Sequence, residues 1–227
     1  MISRPAWAET RLHYTFQDPA LLERALTHRS ASKHNNERLE FLGDAFLSFA
    51  VARELYARRP GDAEGDLSRA RAALVKQATL AAVGQGLGID SVIVLGQGEL
   101  RSGGAQRAAV LADAVEALIG AVLLDGGAAV AEALVKRLLA EYLDGLPDAE
   151  ALKDAKTKLQ ELMQGRGLGL PRYSVTQIEG RDHAQTFSVT CEIAAKELCT
   201  SGQGASRRGA EQDAAAAMLA LLCHDLA

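Results

Sequence analysis

The sequence lacks the features that mark secreted, membrane-spanning or strongly basic proteins. It has three cysteines, an odd number without metal-binding spacing, so we expect reduced thiols and a cytoplasmic location. We find no secretory segment at the N-terminus and no apolar run long enough to cross a membrane, so we expect no membrane partner. The net charge of −4 argues against a polybasic nucleic-acid binder, and any such contact must come from local clusters.

The most informative stretch is the acidic segment at residues 36–44, Asn-Glu-Arg-Leu-Glu-Phe-Leu-Gly-Asp. On a helix each residue advances about 100° around the axis, so Glu37, Glu40 and Asp44 share an arc of about 60°. No lysine or arginine stands beside them on that face, and like charges at this spacing destabilise a helix. Such carboxylates suit a hard divalent cation such as Mg²⁺, which takes oxygen ligands. A solvated acidic face is the alternative.

The apolar side of the same helix indicates where it should meet the core. Its residues at core spacing are Leu39, Leu42, Phe46 and Phe49. Phe41 lies about 120° from the centre of that stripe, so we expect it to be exposed unless a partner covers it. The breaker Pro60-Gly61 predicts that the helix ends near Arg58. Residues 127–143 are predicted as another amphipathic helix, through Val130, Leu134, Leu138 and Leu139.

A second acidic feature lies in residues 110–124, which are apolar nearly all round and therefore predict a buried helix. Its only charges are Asp113 and Glu116, three residues apart and hence on one face. Burying two unpaired carboxylates costs several kcal/mol, so they need a cation, a proton or a polar cleft. A metal site shared with Glu40 and Asp44 would explain both helices. An acidic pair at the rim of a core helix is the alternative.

Three segments, residues 36–44, 64–66 and 111–120, together resemble the ribonuclease III family in motif, order and spacing. The C-terminal third is similar to the double-stranded-RNA-binding domain of that family. The resemblance implies an all-α endonuclease domain followed by an α+β domain of order α-β-β-β-α. The expected limits are residues 1–147 for the endonuclease domain, 148–153 for a linker and 154–227 for the double-stranded-RNA-binding domain.

The resemblance also implies an activity. A homodimer would hydrolyse both strands of duplex RNA with Mg²⁺, for which Mn²⁺ can substitute. The products would carry 5′-phosphate and 3′-hydroxyl ends with a short 3′ overhang. The expected substrates are ribosomal RNA precursors and other structured transcripts.

The resemblance assigns roles to individual acidic residues. The implied metal ligands are Glu40, Asp44, Asp113 and Glu116, of which Asp44 and Glu116 are implied to be catalytic. Glu37 and Glu64 would support the acidic cleft, although Glu64 also suits a helix N-terminus without any chemical role. The exposure expected of Phe41 supports the dimer independently of the resemblance, and we place this residue in the dimer interface.

The second domain is predicted from alternating strands between two helices. Its first helix has an apolar face and a polar face, the latter formed by Thr157, Gln160, Glu161 and Gln164. Residues 187–193 alternate as a half-buried strand, and residues 197–200 form the third strand. The long last helix begins near Ser206, Arg207 and Arg208, where backbone amides and guanidinium groups suit phosphates. The polar face of the first helix and His183 can reach ribose 2′-hydroxyls.

The charge of this second domain departs from that of a strongly basic RNA binder. From Asp154 onward there are eight lysines and arginines against nine aspartates and glutamates, a net charge of −1. Glu211 stands where many such domains carry a further lysine. We therefore expect weaker binding by the isolated domain than a strongly basic member would give.

Two other classes of function use some of the same features. A non-catalytic duplex-RNA-binding protein would share the second domain, and the intact set of carboxylates argues against it. A helical di-iron carboxylate protein also carries acids on helices but expects Glu-x-x-His pairs. Neither Glu37, Glu40 nor Glu116 is followed by histidine at the third position, so this class is disfavoured.

Overall fold

The computed structural model describes residues 3–181 and 185–224, and the chain divides into two compact units, Met1–Ala149 and Glu150–Ala227. The first unit is helical. Its α-helices are α1 (Arg4–Arg11), α2 (Pro19–Ala25), α3 (Glu37–Arg58), α4 (Glu64–Val75), α5 (Gln77–Leu87), α6 (Gln97–Arg101), α7 (Ala108–Gly126), α8 (Ala128–Leu138) and α9 (Ala140–Asp144). Short 3₁₀ turns lie at Ile89–Ser91 and Gly104–Gln106. Within the described residues, no helix is both long enough and apolar enough to span a bilayer.

Helices α3 and α7 pack directly against each other at the centre of the first unit, and two glycines permit this contact. A Cβ added at Gly43 would lie 1.8 Å from the backbone oxygen of Glu116. A Cβ added at Gly120 would lie 2.2 Å from the backbone oxygen of Leu39. Real Cβ atoms do not approach so closely, so any side chain at either position would push the helices apart.

The predicted core stripe of α3 is wrong in part. Leu39 is buried as expected, but Leu42 and Phe46 are only half-buried and Phe49 is 60% exposed. The buried face of this helix is formed by Leu39, Gly43, Leu47, Ala50, Val51 and Leu55. The face that meets α7 is centred on Gly43, which contributes no apolar side chain to a pattern read from the sequence. Phe41 is 79% exposed, as predicted.

Helix boundaries in the first unit follow the sequence signals except near residue 139. The carboxylate of Asp18 accepts a hydrogen bond from the Ala20 amide at the start of α2, and α3 ends at Arg58 as predicted. The single helix predicted over 127–143 is instead two helices, α8 and α9. The chain leaves helical geometry at Leu139, with φ −104° and ψ 8°, and the resulting bend leaves Leu139 and Leu143 buried.

The second unit has the predicted α-β-β-β-α order, with a short additional helix before it. Its elements are α10 (Ala149–Leu152), α11 (Ala155–Gly165), β1 (Arg172–Glu179), β2 (Thr186–Ile193), β3 (Leu198–Gly204) and α12 (Arg207–His224). A 3₁₀ turn at Ala194–Lys196 joins the last two strands. The strands form one antiparallel sheet in the order β1-β2-β3. Helix α10 begins at the boundary between the two units and occupies most of the stretch expected to be a linker.

One face of this sheet and the two long helices enclose the core of the second unit. The buried core residues are Leu159, Met163, Cys191, Ile193, Ala214, Ala215, Met218 and Leu222. The third strand begins at Leu198 rather than at the predicted Glu197, which has the left-handed value φ 52°. It continues past the predicted end to Gly204. At Gly202 an added Cβ would lie 2.1 Å from the Ala214 amide nitrogen, so α12 packs directly on this strand.

Candidate active site

Three carboxylates from two helices meet in the first unit. One carboxylate oxygen from each of Glu40, Asp113 and Glu116 lies within 4.8 Å of the other two. Glu40 is on α3, and the other two residues are one turn apart on α7. The close contact at Gly43 and Gly120 brings these two helices together. All three side chains are half-buried, so they can hold a cation and remain reachable from solvent.

The electrostatics of this cluster follow from burial and from the neighbouring acids. Burial, together with the charges of Asp44, Asp113 and Glu40, raises the pKa of Glu116 to about 7. Burial, and then the charge of Asp113, also raise the pKa of Glu40. Burial raises the pKa of Asp113, whereas His28 and Arg29 partly oppose that shift. Without a cation, the cluster therefore retains protons that isolated carboxyl groups would release.

A cleft of about 520 Å³ opens beside the cluster. Its lining residues are His28, Arg29, Ser30, Asn36, Glu37, Glu40, Glu99, Arg107, Ala109, Val110 and Asp113. Glu37 is one of these residues, and its carboxylate lies 3.2 Å from the side-chain nitrogen Nδ2 of Asn35 and 3.7 Å from the guanidinium group of Arg29. The lining thus combines acidic side chains with two arginines, Arg29 and Arg107, as a site for a phosphate bound beside a cation requires.

Asp44 and Glu64 are the two predicted acidic residues that neither belong to this cluster nor appear among the described residues that line the cleft. Asp44 is exposed on α3 one turn after Glu40, close enough for its charge to raise the pKa of Glu116. Its carboxylate is not part of the group whose oxygens lie within 4.8 Å of one another. Glu64 is in the first turn of α4 and accepts a 2.7 Å hydrogen bond from the Ser68 hydroxyl. It is not among the described residues that line the cleft.

The cleft also contains residues that the sequence patterns did not indicate. Arg29 and Arg107 line it, and Arg107 is held by a 2.7 Å ion pair with Glu99. Both arginines lie in connecting segments, where no periodicity marks them. His28 also lines the cleft, with its Nδ1 atom 2.8 Å from the Ser30 hydroxyl oxygen. The feature of the sequence that could have identified Arg107 is its position directly before the apolar helix α7.

The donor set fits a hard divalent cation. All three clustered ligand atoms are carboxylate oxygens, the type that Mg²⁺ and Mn²⁺ prefer. Asn36 adds a further observation: it is only 2% exposed, it lines the same cleft, and its Nδ2 atom is buried with no hydrogen-bond partner. Buried donors are normally satisfied, so this amide suits an oxygen atom of a molecule bound in the cleft.

A second candidate site lies in the second unit, where the first turns of α11 and α12 meet. Its groove is lined by Asp154, Lys156, Thr157, Gln160, Arg207, Arg208, Glu211 and Gln212. Four of the predicted RNA-binding residues therefore line one groove: Thr157, Gln160, Arg207 and Arg208. Lys156 was not predicted, because it lies outside the polar face of α11 formed by Thr157, Gln160, Glu161 and Gln164.

The other predicted RNA-binding residues lie outside the lining of this groove or outside the described part of the chain. Glu161 makes a 2.5 Å ion pair with Lys153, and Gln164 is exposed near the end of α11. The Ser206 hydroxyl accepts a 3.1 Å hydrogen bond from the Gly209 amide at the start of α12. His183 lies outside the described residues.

Comparison with known proteins gives the class of each unit. The family model described as Ribonuclease-III-like matches residues 18–143, and the model described as Double-stranded RNA binding motif matches residues 155–222. A helical domain with a carboxylate cluster, followed by this motif, defines a two-domain endonuclease that binds double-stranded RNA. Curated relatives named Ribonuclease 3 are 54% identical over 215 residues in Delftia acidovorans and 55% identical over 215 residues in Albidiferax ferrireducens. Each match covers 94% of both chains, and the chain therefore belongs to the ribonuclease III family.

Solved structures of a related nuclease domain support the same conclusion for the first unit. Two crystal structures of the nuclease domain of ribonuclease III from Campylobacter jejuni are similar to it, with TM-scores of 0.59 and 0.61. They are 43% and 39% identical in sequence. The matches cover 60% and 64% of this chain and 95% and 100% of those chains.

The pKa of Glu116 leads to a prediction about stability in the absence of metal. Its pKa is raised from 4.5 to about 7, so between these values the folded state binds more protons than the unfolded state. Stability of the metal-free protein should therefore fall as pH rises through this window. Glu116→Gln removes the buried charge, and at pH 8 in chelator it should be more stable than the parent by about 1–2 kcal/mol, after allowance for solvent screening.

Urea denaturation of both proteins at several pH values measures this difference. The two stabilities should converge below about pH 4, where Glu116 is protonated in both the folded and the unfolded states. Equal stability of the two proteins at pH 8 would show that the carboxylate carries no burial penalty.

Proposed function

We propose that this protein is a Mg²⁺-dependent endonuclease that hydrolyses both strands of double-stranded RNA. The proposed products carry 5′-phosphate and 3′-hydroxyl ends with a short 3′ overhang. The observation that carries the proposal is the convergence of Glu40, Asp113 and Glu116 beside a cleft with basic residues on its wall. The proposed substrates are ribosomal RNA precursors and other structured transcripts in the cytoplasm, in keeping with the family.

In this proposal the acidic residues hold the metal. Glu40, Asp113 and Glu116 would supply oxygen ligands, and Asp44 would join them by a change of rotamer. Mg²⁺, or Mn²⁺ in its place, would supply an activated water at neutral pH and stabilise the charge on the leaving oxygen. To act as a ligand, Glu116 must lose its proton, and a nearby cation would lower its pKa below about 7. Asp44 and Glu116 are the proposed catalytic residues.

Other residues of the cleft would orient the RNA. Arg29 and Arg107 line the cleft and would bind phosphate groups of the RNA, because guanidinium groups bind phosphate oxygens through paired hydrogen bonds. The buried Asn36 amide would donate to an oxygen atom in the cleft and so help to orient the group that reacts. Glu37 would limit the approach of Arg29 to the metal ligands through their ion pair.

The active form is proposed to be a homodimer, in which each protomer cuts one strand. Phe41 is 79% exposed and forms part of the wall of a groove. The other lining residues are Arg24, Glu37, Arg38, Leu39, Leu42 and Leu124. An exposed aromatic side chain beside an apolar groove suits a symmetric contact, because each copy offers both the side chain and the groove. The published description of one Campylobacter jejuni structure refers to a region involved in dimer formation of that protein.

The interface assignment is tested by Phe41→Ala. This variant should dissociate to monomers at a protein concentration at least about tenfold above that of the parent, because the symmetric dimer loses two buried aromatic anchors that typically contribute about 1 kcal/mol or more each. Sedimentation at several concentrations measures the change. Leu100→Ala, which removes another exposed apolar side chain from the same unit, is the matched control and should dissociate like the parent. An unchanged dimer in the Phe41 variant down to nanomolar protein would contradict the assignment.

The proposed activity is tested with a long RNA duplex, a single strand of the same sequence, and Mg²⁺, Ca²⁺ or chelator. We expect cleavage of the duplex in Mg²⁺ and little in the other two conditions, because Ca²⁺ is larger and accepts looser coordination. Sequencing of the product ends tests the 5′-phosphate and the 3′ overhang. Binding of the duplex without cleavage in Mg²⁺ would favour the non-catalytic RNA-binding alternative.

A further inference from the structure

Glu211 is a carboxylate on the face of the second unit that should bind phosphates. It lies one turn into α12, within the groove that Arg207 and Arg208 line, and it is only 9% exposed. A negative charge at this position opposes an RNA backbone if charge alone decides affinity. Its contacts indicate a different role.

The carboxylate of Glu211 bridges two cations from two helices. Its Oε2 atom accepts a 2.6 Å hydrogen bond from the ammonium group of Lys156 on α11. Its Oε1 atom accepts a 2.9 Å hydrogen bond from Nε of Arg207 on α12. The hydrogen bond from Lys156 is the largest cause that lowers the pKa of Glu211, and burial opposes it. The group is therefore ionised at neutral pH, and each of its oxygens binds one cation.

Both cations are held in positions from which they can still meet an anion. The Arg207 bond to Glu211 engages Nε, and 66% of the side chain is exposed, so its terminal nitrogens can meet a phosphate. The Lys156 ammonium also lies 4.4 Å from the centre of the Tyr173 ring, which fixes it from a second side. The first turns of α11 and α12 are joined further by the Lys156 amide, which donates a 3.1 Å hydrogen bond to Gln212.

We infer that Glu211 is a positioning residue for duplex RNA, whose buried carboxylate holds Lys156 and Arg207 side by side as one phosphate-binding pair. The inference rests on the proposed binding of double-stranded RNA by this domain. Without the carboxylate, the two cations repel each other and both long side chains regain the rotamer freedom that binding must remove. Glu211 therefore strengthens RNA binding although its own charge repels the backbone.

The direction in which Glu211→Gln changes the affinity for duplex RNA distinguishes a positioning role from a purely electrostatic effect. Full-length Glu211→Gln should bind an RNA duplex about three- to tenfold more weakly than the parent, because two immobilised side chains are released. If charge alone mattered, the same change would strengthen binding. Glu192→Gln removes an equal charge from an exposed position on β2 of the same unit and is the matched control. It should bind with at least parental affinity.

Binding is measured by titration of a short RNA duplex in chelator, so that cleavage does not interfere, and thermal unfolding checks that the variants fold. The cleavage rate at saturating duplex in Mg²⁺ should be the same for Glu211→Gln and the parent, since the metal ligands are on another domain. Parental or tighter binding by Glu211→Gln would overturn the inference. If the parent itself does not bind the duplex, the proposed RNA binding fails first and the inference fails with it.

A second pair of variants tests the same inference at exposed positions, where folding is not at risk. Arg207→Lys keeps the charge but removes the Nε atom that Glu211 holds, so it should weaken binding at least about threefold more than Arg208→Lys. Arg208 lies 3.7 Å from Asp154 and has no bond to the bridging carboxylate in the described structure. Equal losses in the two lysine variants would overturn the positioning role even if Glu211→Gln did not fold.

Discussion

Glu116→Gln is expected to lower the rate of duplex cleavage at least about a thousandfold, which corresponds to about 4 kcal/mol in the barrier. The change keeps the volume of the side chain and removes its charge from the centre of the cluster. Glu116 is the most strongly perturbed of the three clustered acids, so its neutral replacement should weaken both metal binding and alignment of the reacting groups. Duplex binding should remain near the parental level, because the basic groups on both domains are unchanged.

Initial cleavage rates over a range of Mg²⁺ concentrations measure this loss, together with duplex affinity in chelator. Glu132→Gln is the control, since it makes the same chemical change at an ion pair with Arg53 that does not line the cleft. The control should cleave at the parental rate. Cleavage by Glu116→Gln within tenfold of the parent at saturating Mg²⁺ would show that the cluster is not the catalytic centre.

Deletion of the second unit, from Glu150 onward, is expected to lower the affinity for a long duplex by about 10- to 100-fold at physiological salt. Cleavage should persist at low salt, because every proposed metal ligand and the proposed dimer contact at Phe41 lie in the first unit. The contacts that we expect to be lost are those to phosphates and 2′-hydroxyls, which would contribute affinity without taking part in chemistry. Gel shifts at several salt concentrations and cleavage assays at low salt measure the two effects.

The double variant Arg207→Ala, Arg208→Ala tests whether the loss comes from the predicted face. It should reproduce much of the binding defect of the deletion, because the second domain has few other basic groups in the groove. Parental affinity in the double variant would mean that RNA binds elsewhere on this domain. A truncated protein that is folded and dimeric but inactive at low salt would show that the second domain takes part in catalysis.

The acidic helices could be predicted from the sequence because their unusual feature, charged residues at helical spacing, is visible within each helix by itself. Two charges in an otherwise apolar helix are visible without knowing what packs around them, and α7 is buried as that pattern indicated. The core face of α3 was predicted less well. Its central contact is made by Gly43 against a backbone oxygen on α7, and a glycine gives no apolar signal from which the face could be inferred.

Residues that act through distant partners were the ones that the sequence did not reveal. Lys156 gains its position from Glu211, 55 residues further along the chain, and from the face of Tyr173. Arg29 and Arg107 approach the cleft from connecting segments without periodicity. The end of α8 at Leu138 likewise depends on burial of Leu139 against the rest of the unit rather than on a breaker in the sequence.

The pairing of α3 with α7 through Gly43 and Gly120 has a consequence for how the protein is assembled. Glu40 and Asp113 come from segments about seventy residues apart, so a cation held between them would act as a removable cross-link that closes a long loop. Such a cation would stabilise the folded chain only when both helices are already in contact. The two glycines therefore link docking of the helices to assembly of the proposed metal site, because the three carboxylates come together only when the helices dock.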